Sequence, residues 1–305
     1  MVESPVLFIT FVRPDYARQT WNGIKAAKPK KLYFYSNKGR TEKEGEIERN
    51  NEIRSYVNEI DWECDLHTWF RDETANVYDS LRGAIDWLFE NEEEGIVLEE
   101  DVVPTLAFFS FCDQMIERYR NDMRVWHISG DNYFNLNPGG YDYIFTHYHW
   151  LFGWASWRSR WKSVDWEHTN INEMIDQGIY AYFFKTKKQG NEIMDNLIHH
   201  REVLERTKCW DFYFGMVCDQ FNGVGIVPKQ HLITNIGLSG THHKQGGHTF
   251  VNIESKCKDS VYTIERHPPF VFADYEYDYL DYKNRIMQTP LWKRALMPIY
   301  KKVRK

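Results

Sequence analysis

The 305-residue chain has a formal net charge of −6, with 42% hydrophobic and 27% charged residues, which allows one large α/β domain or two small ones around a substantial core. The acidic balance argues against general nucleic-acid binding, for which a broadly basic face is expected. Five scattered cysteines without a C-x-x-C spacing fit reduced thiols and exclude a disulfide framework or a zinc site.

Taken in order, the β-prone run from Val6 to Val12 predicts a first strand, stopped by Arg13-Pro14-Asp15. Tyr16, Thr20, Trp21 and Ile24 then recur at helical spacing. Lys31 to Tyr35 predicts a second strand that closes on the turn set Ser36-Asn37-Lys38-Gly39. Ile53, Tyr56, Val57 and Ile60 predict a helix, and the alternation of Cys64, Leu66, Thr68 and Phe70 a third strand. Val77, Leu81, Ala84, Ile85, Leu88 and Phe89 mark an amphipathic helix that runs into a central strand at Ile96. Strands alternating with helices imply a mostly parallel sheet.

That central strand ends in Glu99-Glu100-Asp101. Three carboxylates at a strand end repel one another unless a cation or a cationic partner sits among them. The triplet reads as a divalent metal site with oxygen ligands or as a solvated acidic turn.

Beyond it, Phe108, Phe109, Cys112, Met115, Ile116 and Tyr119 repeat at helical spacing, and Val125 to Ser129 predicts a strand ending in Gly130-Asp131-Asn132. The stretch from His147 to Trp157 is dense in aromatic residues, as is the chain at large, with 12 Trp and 19 Tyr. Such a stripe packs a core or forms a wall that stacks on sugar faces. Residues 170 to 206 read as helical and charged, with a break at Gln189-Gly190. Trp210-Asp211-Phe212 opens another apolar helix that ends at Asn222-Gly223, before the strand Gly225-Ile226-Val227. The small-residue loop from Asn235 to His243 suits close approach to phosphate, or surface mobility.

The segments Asn91 to Pro104, Ile128 to Asn132, Phe152 to Trp157, Trp210-Asp211-Phe212 and Asn235-Ile236-Gly237 form an ordered set. This set resembles the bacterial GT-A-fold glycosyltransferases of the nucleotide-diphospho-sugar transferase superfamily, with a distant similarity to animal N-acetylglucosaminyltransferase I. The resemblance runs from about Val6 to His243. It implies an α/β, GT-A (Rossmann-like) fold with a mostly parallel central sheet flanked by helices and a C-terminal acceptor-side region. Residues 1–250 would form the glycosyltransferase domain, with a nucleotide-sugar half (1–135) and an acceptor and catalytic half (136–250). Residues 251–305 would be a C-terminal extension.

Residue by residue, the resemblance implies that Asp101, last of the acidic motif, holds Mn²⁺ or Mg²⁺. Glu99 and Glu100 would face the donor, although Glu100 replaces the family's usual Asp. Asp211 stands at the catalytic-base position, against the alternative of a helix N-cap. His242 matches a C-terminal His near the metal and diphosphate, with His243 one residue away. Arg13, Ser36, Asn37 and Asn76 fall at nucleotide-contact positions. Trp150, Trp154, Trp157 and Trp210 would orient sugars, some of them by packing beneath the site. The implied activity is inverting, metal-dependent transfer of a sugar, hexosyl or N-acetylhexosaminyl, from a UDP-sugar to a glycan or lipid-linked acceptor. Two other readings use the same nucleotide fold: a non-catalytic carbohydrate-binding protein and a sugar nucleotidyltransferase.

No run of about 18 apolar residues is present, and Met1 to Pro5 lacks a charged lead into a signal core, so a cytoplasmic protein is expected. Lys293, Arg294, Lys301, Lys302, Arg304 and Lys305 interleave with Trp292, Leu296, Ile299 and Val303. Residues 290–305 therefore read either as a basic amphipathic helix on the anionic inner membrane face or as a solvated tail.

Overall fold

The run Val6–Thr10 forms strand β1, and its side chains divide between two cores. Val6 and Phe8 point into one apolar cluster, Leu7 and Ile9 into another on the opposite face. Because both faces are covered, the strand is apolar throughout, as central parallel strands are. The computed structural model describes residues 1–166, 173, 176–178, 184–194, 209–237 and 254–287.

Chain order then gives α1 (Pro14–Ala27), β2 (Lys31–Ser36), α2 (Glu46–Arg54), a 3₁₀ turn (Ser55–Glu59), β3 (Asp65–Phe70), α3 (Val77–Asn91) and β4 (Glu94–Glu99). There follow β5 (Val102–Pro104), α4 (Leu106–Tyr119), β6 (Val125–Ser129), β7 (Tyr143–Thr146), β8 (Trp154–Trp157) and α5 (Arg158–Trp161). The remaining described elements are α6 (Trp210–Gln220), β9 (Val224–Pro228), β10 (Ile233–Asn235) and α7 (Tyr275–Met287).

Eight strands form one sheet in the order β3-β2-β1-β4-β8-β6-β9-β7, and β5 pairs with β10 in a two-stranded sheet. The ladders β3-β2, β2-β1, β1-β4 and β6-β9 are parallel, whereas β8 and β7 run antiparallel to their neighbours. Helices α1, α2 and α4 contribute Trp21, Ile53 and Phe108 to one core, and α3 and α6 contribute Ile85 and Phe214 to the other. This is the α/β, GT-A-like Rossmann arrangement that the resemblance implies: a mostly parallel sheet between two helical layers.

Two expectations change in detail. The second helix begins at Glu46, earlier than the apolar spacing suggested, and the apolar residues Tyr56 and Val57 lie in the 3₁₀ turn after it. The aromatic stretch supplies a strand, β8, inserted between β4 and β6. Residues 254–287 pack on the same body: Tyr262 is buried against Phe111, and Asp278 accepts from Thr146 and stands 2.9 Å from His147 Nδ1. No helix among the described residues is long and apolar enough to cross a membrane.

Candidate active site

Ligands of open α/β sheets bind beyond the carboxyl ends of the strands. Here the ends of β1, β2 and β3 are tied together by two polar side chains of α2. Asn50 donates to Phe11 O at 2.7 Å, to Ser36 Oγ at 3.0 Å and to Asn37 O at 2.8 Å. Arg54 donates to Ser36 Oγ and, through Nη2, to Arg71 O at 2.8 Å. Neither residue was singled out from the sequence. Both belong to a helix with little apolar periodicity, and only their position beneath three strand ends reveals their use.

The tie has consequences for the expected nucleotide contacts. Ser36 is fully buried and Asn37 5% exposed, so these side chains support the wall of the site. Asn37 accepts from the Ala75 amide and donates to Ala75 O, fastening the β2 end to the loop before α3. Asn76, exposed, caps α3 by accepting from the Asp79 amide at 2.9 Å.

At the end of β4 the three acids diverge. Glu100 turns inward, 4% exposed, and accepts from the Phe11 amide at 2.7 Å and from Arg13 Nε at 2.5 Å. Arg13 Nη2 also donates to Asp101 Oδ2 at 2.9 Å. The cationic partner that such a triplet requires is therefore present within the chain, and Arg13, expected as a donor contact, is committed to the acids. Burial works against the Arg13 charge, but Glu100 and Asp101 overcome it and hold the guanidinium above its ordinary range. Burial pushes the Glu100 carboxyl up, against the pull of Arg13.

Glu99 is recessed at the strand end. Loss of solvation, then the charges of Asp101 and Asp211, raise its carboxyl to about 8. Asp211, 112 residues later in the chain, is thus near enough for its charge to act on Glu99.

Helix α6 explains that placement. Trp210, its first residue, stacks on Trp154 of β8 with ring centroids 5.6 Å apart, and Trp154 pairs with Val97 of β4. The stack seats the start of α6 on the face of the sheet that Trp154 and Val97 line. Asp211 is exposed in the first turn, where a carboxylate is favoured by the helix dipole. It is not the N-cap: Cys209 holds that position and makes no side-chain capping hydrogen bond.

The aromatic expectations separate by burial. Trp154, Trp157 and Trp210 are 1%, 2% and 6% exposed, which leaves their rings packed against protein beneath the site instead of facing a sugar. Trp150 is half-buried, meets Tyr133 edge-on at 5.2 Å and donates to Asp281 Oδ2 at 3.4 Å.

The loop after β10 closes the site. Ile236 N–H donates to Asp101 O at 2.9 Å, and Gly237 N–H to Asn235 Oδ1 at 2.9 Å. A Cβ on Gly237 would lie 2.3 Å from Asp101 Oδ2, so only glycine lets the backbone pass this carboxylate. Gly130 N–H donates to Gly153 O and Leu232 N–H to Gly130 O, both at 2.9 Å. Segments of the sequence resemblance thus meet in pairs, Ile236-Gly237 at Asp101 and Gly130 at Gly153. His242 and His243 lie outside the described residues.

No group of three or more His, Cys, Asp or Glu among the described residues is arranged to hold a metal ion. Mg²⁺ and similar ions in phosphate sites are commonly held by one or two carboxylates together with substrate phosphates and water. Asp101, 18% exposed at its side chain and given room by Gly237, fits that smaller demand.

No protein-family model matches the chain, and no curated protein matches it. Solved structures to which it is similar include a mannosyltransferase, PcManGT from Pyrobaculum calidifontis, in complex with GDP-Man and Mn²⁺. The identity is 9% and the TM-score 0.34, over 52% of this chain and 46% of that one. The glycosyltransferase GlyE of Streptococcus pneumoniae is 15% identical with a TM-score of 0.31, over 58% of this chain and 38% of that one. A 4-diphosphocytidyl-2C-methyl-D-erythritol synthase from Anaerococcus prevotii is 10% identical with a TM-score of 0.31, over 63% and 83%. The chain therefore spans less than half the length of the first two.

Proposed function

We propose that the chain is a glycosyltransferase that moves a sugar from a nucleotide-diphosphate donor, UDP-linked in the first instance, to a glycan or lipid-linked acceptor. The observation that carries this reading is the Asp101 carboxylate at the carboxyl end of β4, paired with Arg13 at 2.9 Å and passed so closely by the Gly237 backbone that no Cβ fits there.

In this reading Asp101 would hold Mn²⁺ or Mg²⁺ together with the donor diphosphate. Such an ion supplies Lewis-acid stabilisation of the charge that develops on the departing nucleoside diphosphate. Arg13 adds a fixed positive charge beside the same oxygens, and Glu100 keeps that guanidinium in place. Asp211 accepts the proton of the acceptor hydroxyl as the new glycosidic bond forms. A single displacement of this kind inverts the anomeric centre. Its position in the first turn of α6 places it where the helix dipole favours a carboxylate. Trp150 belongs to the acceptor side, and His242 to the diphosphate side.

The test is nucleotide release from a panel of UDP-sugars and GDP-mannose, with and without Mn²⁺. One donor should be turned over in a metal-dependent way, and Asp211→Asn should slow transfer by roughly 10²- to 10⁴-fold while donor binding persists. An Asp211→Asn rate equal to that of the native chain would remove the general-base assignment. Glycan binding without turnover of any donor would favour a carbohydrate-binding protein on this fold.

A further inference from the structure

We infer that the outer edge of the sheet carries a second carbohydrate site, separate from the Asp101 centre, that takes a neutral hexopyranose chain. Between β3 and α3 lies an open cleft of about 500 Å³ lined by Thr68, Trp69, Gly83, Asp86, Trp87 and Glu90. β3 is the edge strand of the eight-stranded sheet, three strands from β4. At about 4.8 Å per strand, the cleft stands roughly 14 Å from the acidic motif across the sheet.

Four observations point to a sugar. Trp69 and Trp87 are both half-buried and meet at 5.7 Å with their planes 72° apart, forming a corner. The corner is stiff, because Tyr35 abuts Trp69 edge-on at 5.1 Å and Tyr33 abuts Trp87 at 4.8 Å. A corner of this kind seats the C–H face of a pyranose on one ring and presents the edge of the other to its hydroxyls. Second, neither indole N–H is engaged within the described protein, whereas those of Trp21, Trp62 and Trp161 each donate to a protein acceptor.

Third, Glu90 is exposed and has no ion-pair partner among the described residues, which leaves an acceptor for sugar hydroxyls at the rim. Asp86 is partly committed, accepting from Trp161 Nε1 at 2.7 Å. Asp86 is also paired with Arg82 at 3.4 Å, and the Arg71 guanidinium lies 5.6 Å over the Trp69 ring, so with Glu90 the cleft offers an acidic glycan no net positive charge. Fourth, Gly83 sits inside α3, where glycine weakens a helix relative to alanine. A Cβ there would meet only Trp69 Cη2, at an ordinary 3.8 Å, so local packing does not require the glycine. Its effect is to keep open the space beside Trp69 Cη2.

The site binds; it performs no step of transfer, and it does not depend on the function proposed for Asp211. The experiment uses the full chain labelled with 5-fluorotryptophan, with the Trp69 and Trp87 resonances assigned from Trp69→Phe and Trp87→Phe. Maltohexaose, cellohexaose and chitohexaose are the neutral probes, and a hexamer of galacturonic acid the acidic one. At least one neutral probe should shift both resonances, the acidic probe should shift neither, and Gly83→Leu should weaken binding at least tenfold. UDP and GDP should leave both resonances in place. Gly83→Leu keeps both indoles and suits a helix, so the test does not rest on the folding of the tryptophan variants. Silence of both resonances towards all three neutral probes would overturn the inference. So would binding undiminished in Gly83→Leu, or a concentration-dependent dimer through β3 that Trp87→Ala dissociates.

Discussion

Arg13 and Asp101 lie 2.9 Å apart, Nη2 to Oδ2, while the same guanidinium donates through Nε to Glu100 at 2.5 Å. The acidic motif at the end of β4 therefore carries its own counter-cation. Arg13→Met would keep the aliphatic stem and leave Glu100 buried with its charge uncompensated. We expect urea unfolding to show a loss of about 1–3 kcal/mol, most of it recovered when Glu100→Gln is added. Unchanged stability in Arg13→Met would mean that desolvation and attraction cancel in this pair.

Gly237 passes so close to Asp101 that a methyl group must displace the carboxylate. Gly237→Ala is expected to weaken metal-dependent nucleotide binding by roughly tenfold or more, equivalent to about 1.4 kcal/mol. Calorimetric titration of UDP in the presence of Mn²⁺ measures this. Native affinity in Gly237→Ala would show that the Asp101 side chain is not used in that complex.

Trp154 and Trp150 should respond in opposite ways to truncation. Trp154 is buried between Trp161, Trp210 and Phe214, so Trp154→Ala opens a core cavity and should cost about 3–5 kcal/mol. Trp150→Ala removes a half-buried ring and should cost less stability while raising the acceptor KM. Thermal unfolding and acceptor kinetics on the two variants separate these outcomes.

His127 gives the fold a pH dependence. Its Nε2 is 2.9 Å from His149 Nδ1, and His149 Nε2 is 3.0 Å from Asp219 Oδ1. Burial, and then the neighbouring His149, hold His127 well below the usual imidazole range. The unfolded chain takes up a proton near pH 6.5 that the folded chain refuses. The stability His127 contributes is therefore present above that pH and is lost as the pH falls below it, by up to about 1.4 kcal/mol per unit. Chemical denaturation from about pH 7 to about pH 5 should show this slope, and His127→Gln should flatten it.

The alternating β-α half was legible because β1, β2 and β4 are short apolar runs, β3 alternates, and α1 and α3 carry a 3.6-residue stripe. The exceptions share a physical cause. β8 is four residues inside an aromatic stretch that shows no period of its own, and its place between β4 and β6 follows from long-range pairing. The acidic motif was visible as charge, but its partner Arg13 lies 88 residues earlier, and only the fold brings the two together. Asn50 and Arg54 were silent because buried polar ties obey geometry and have no periodicity. Asp211 reads locally as a cap residue; its approach to Glu99 depends on the Trp210–Trp154 stack. The tail at 290–305 falls outside the described residues.

The most direct measurement is calorimetric titration of UDP and GDP into the native chain and into Asp101→Ala, each with and without Mn²⁺. The account predicts that one nucleotide binds only with metal present and that Asp101→Ala abolishes this binding. Equal binding by the two proteins, or no binding of either nucleotide with Mn²⁺ present, would contradict the assignment of the β4 terminus as a metal-dependent donor site.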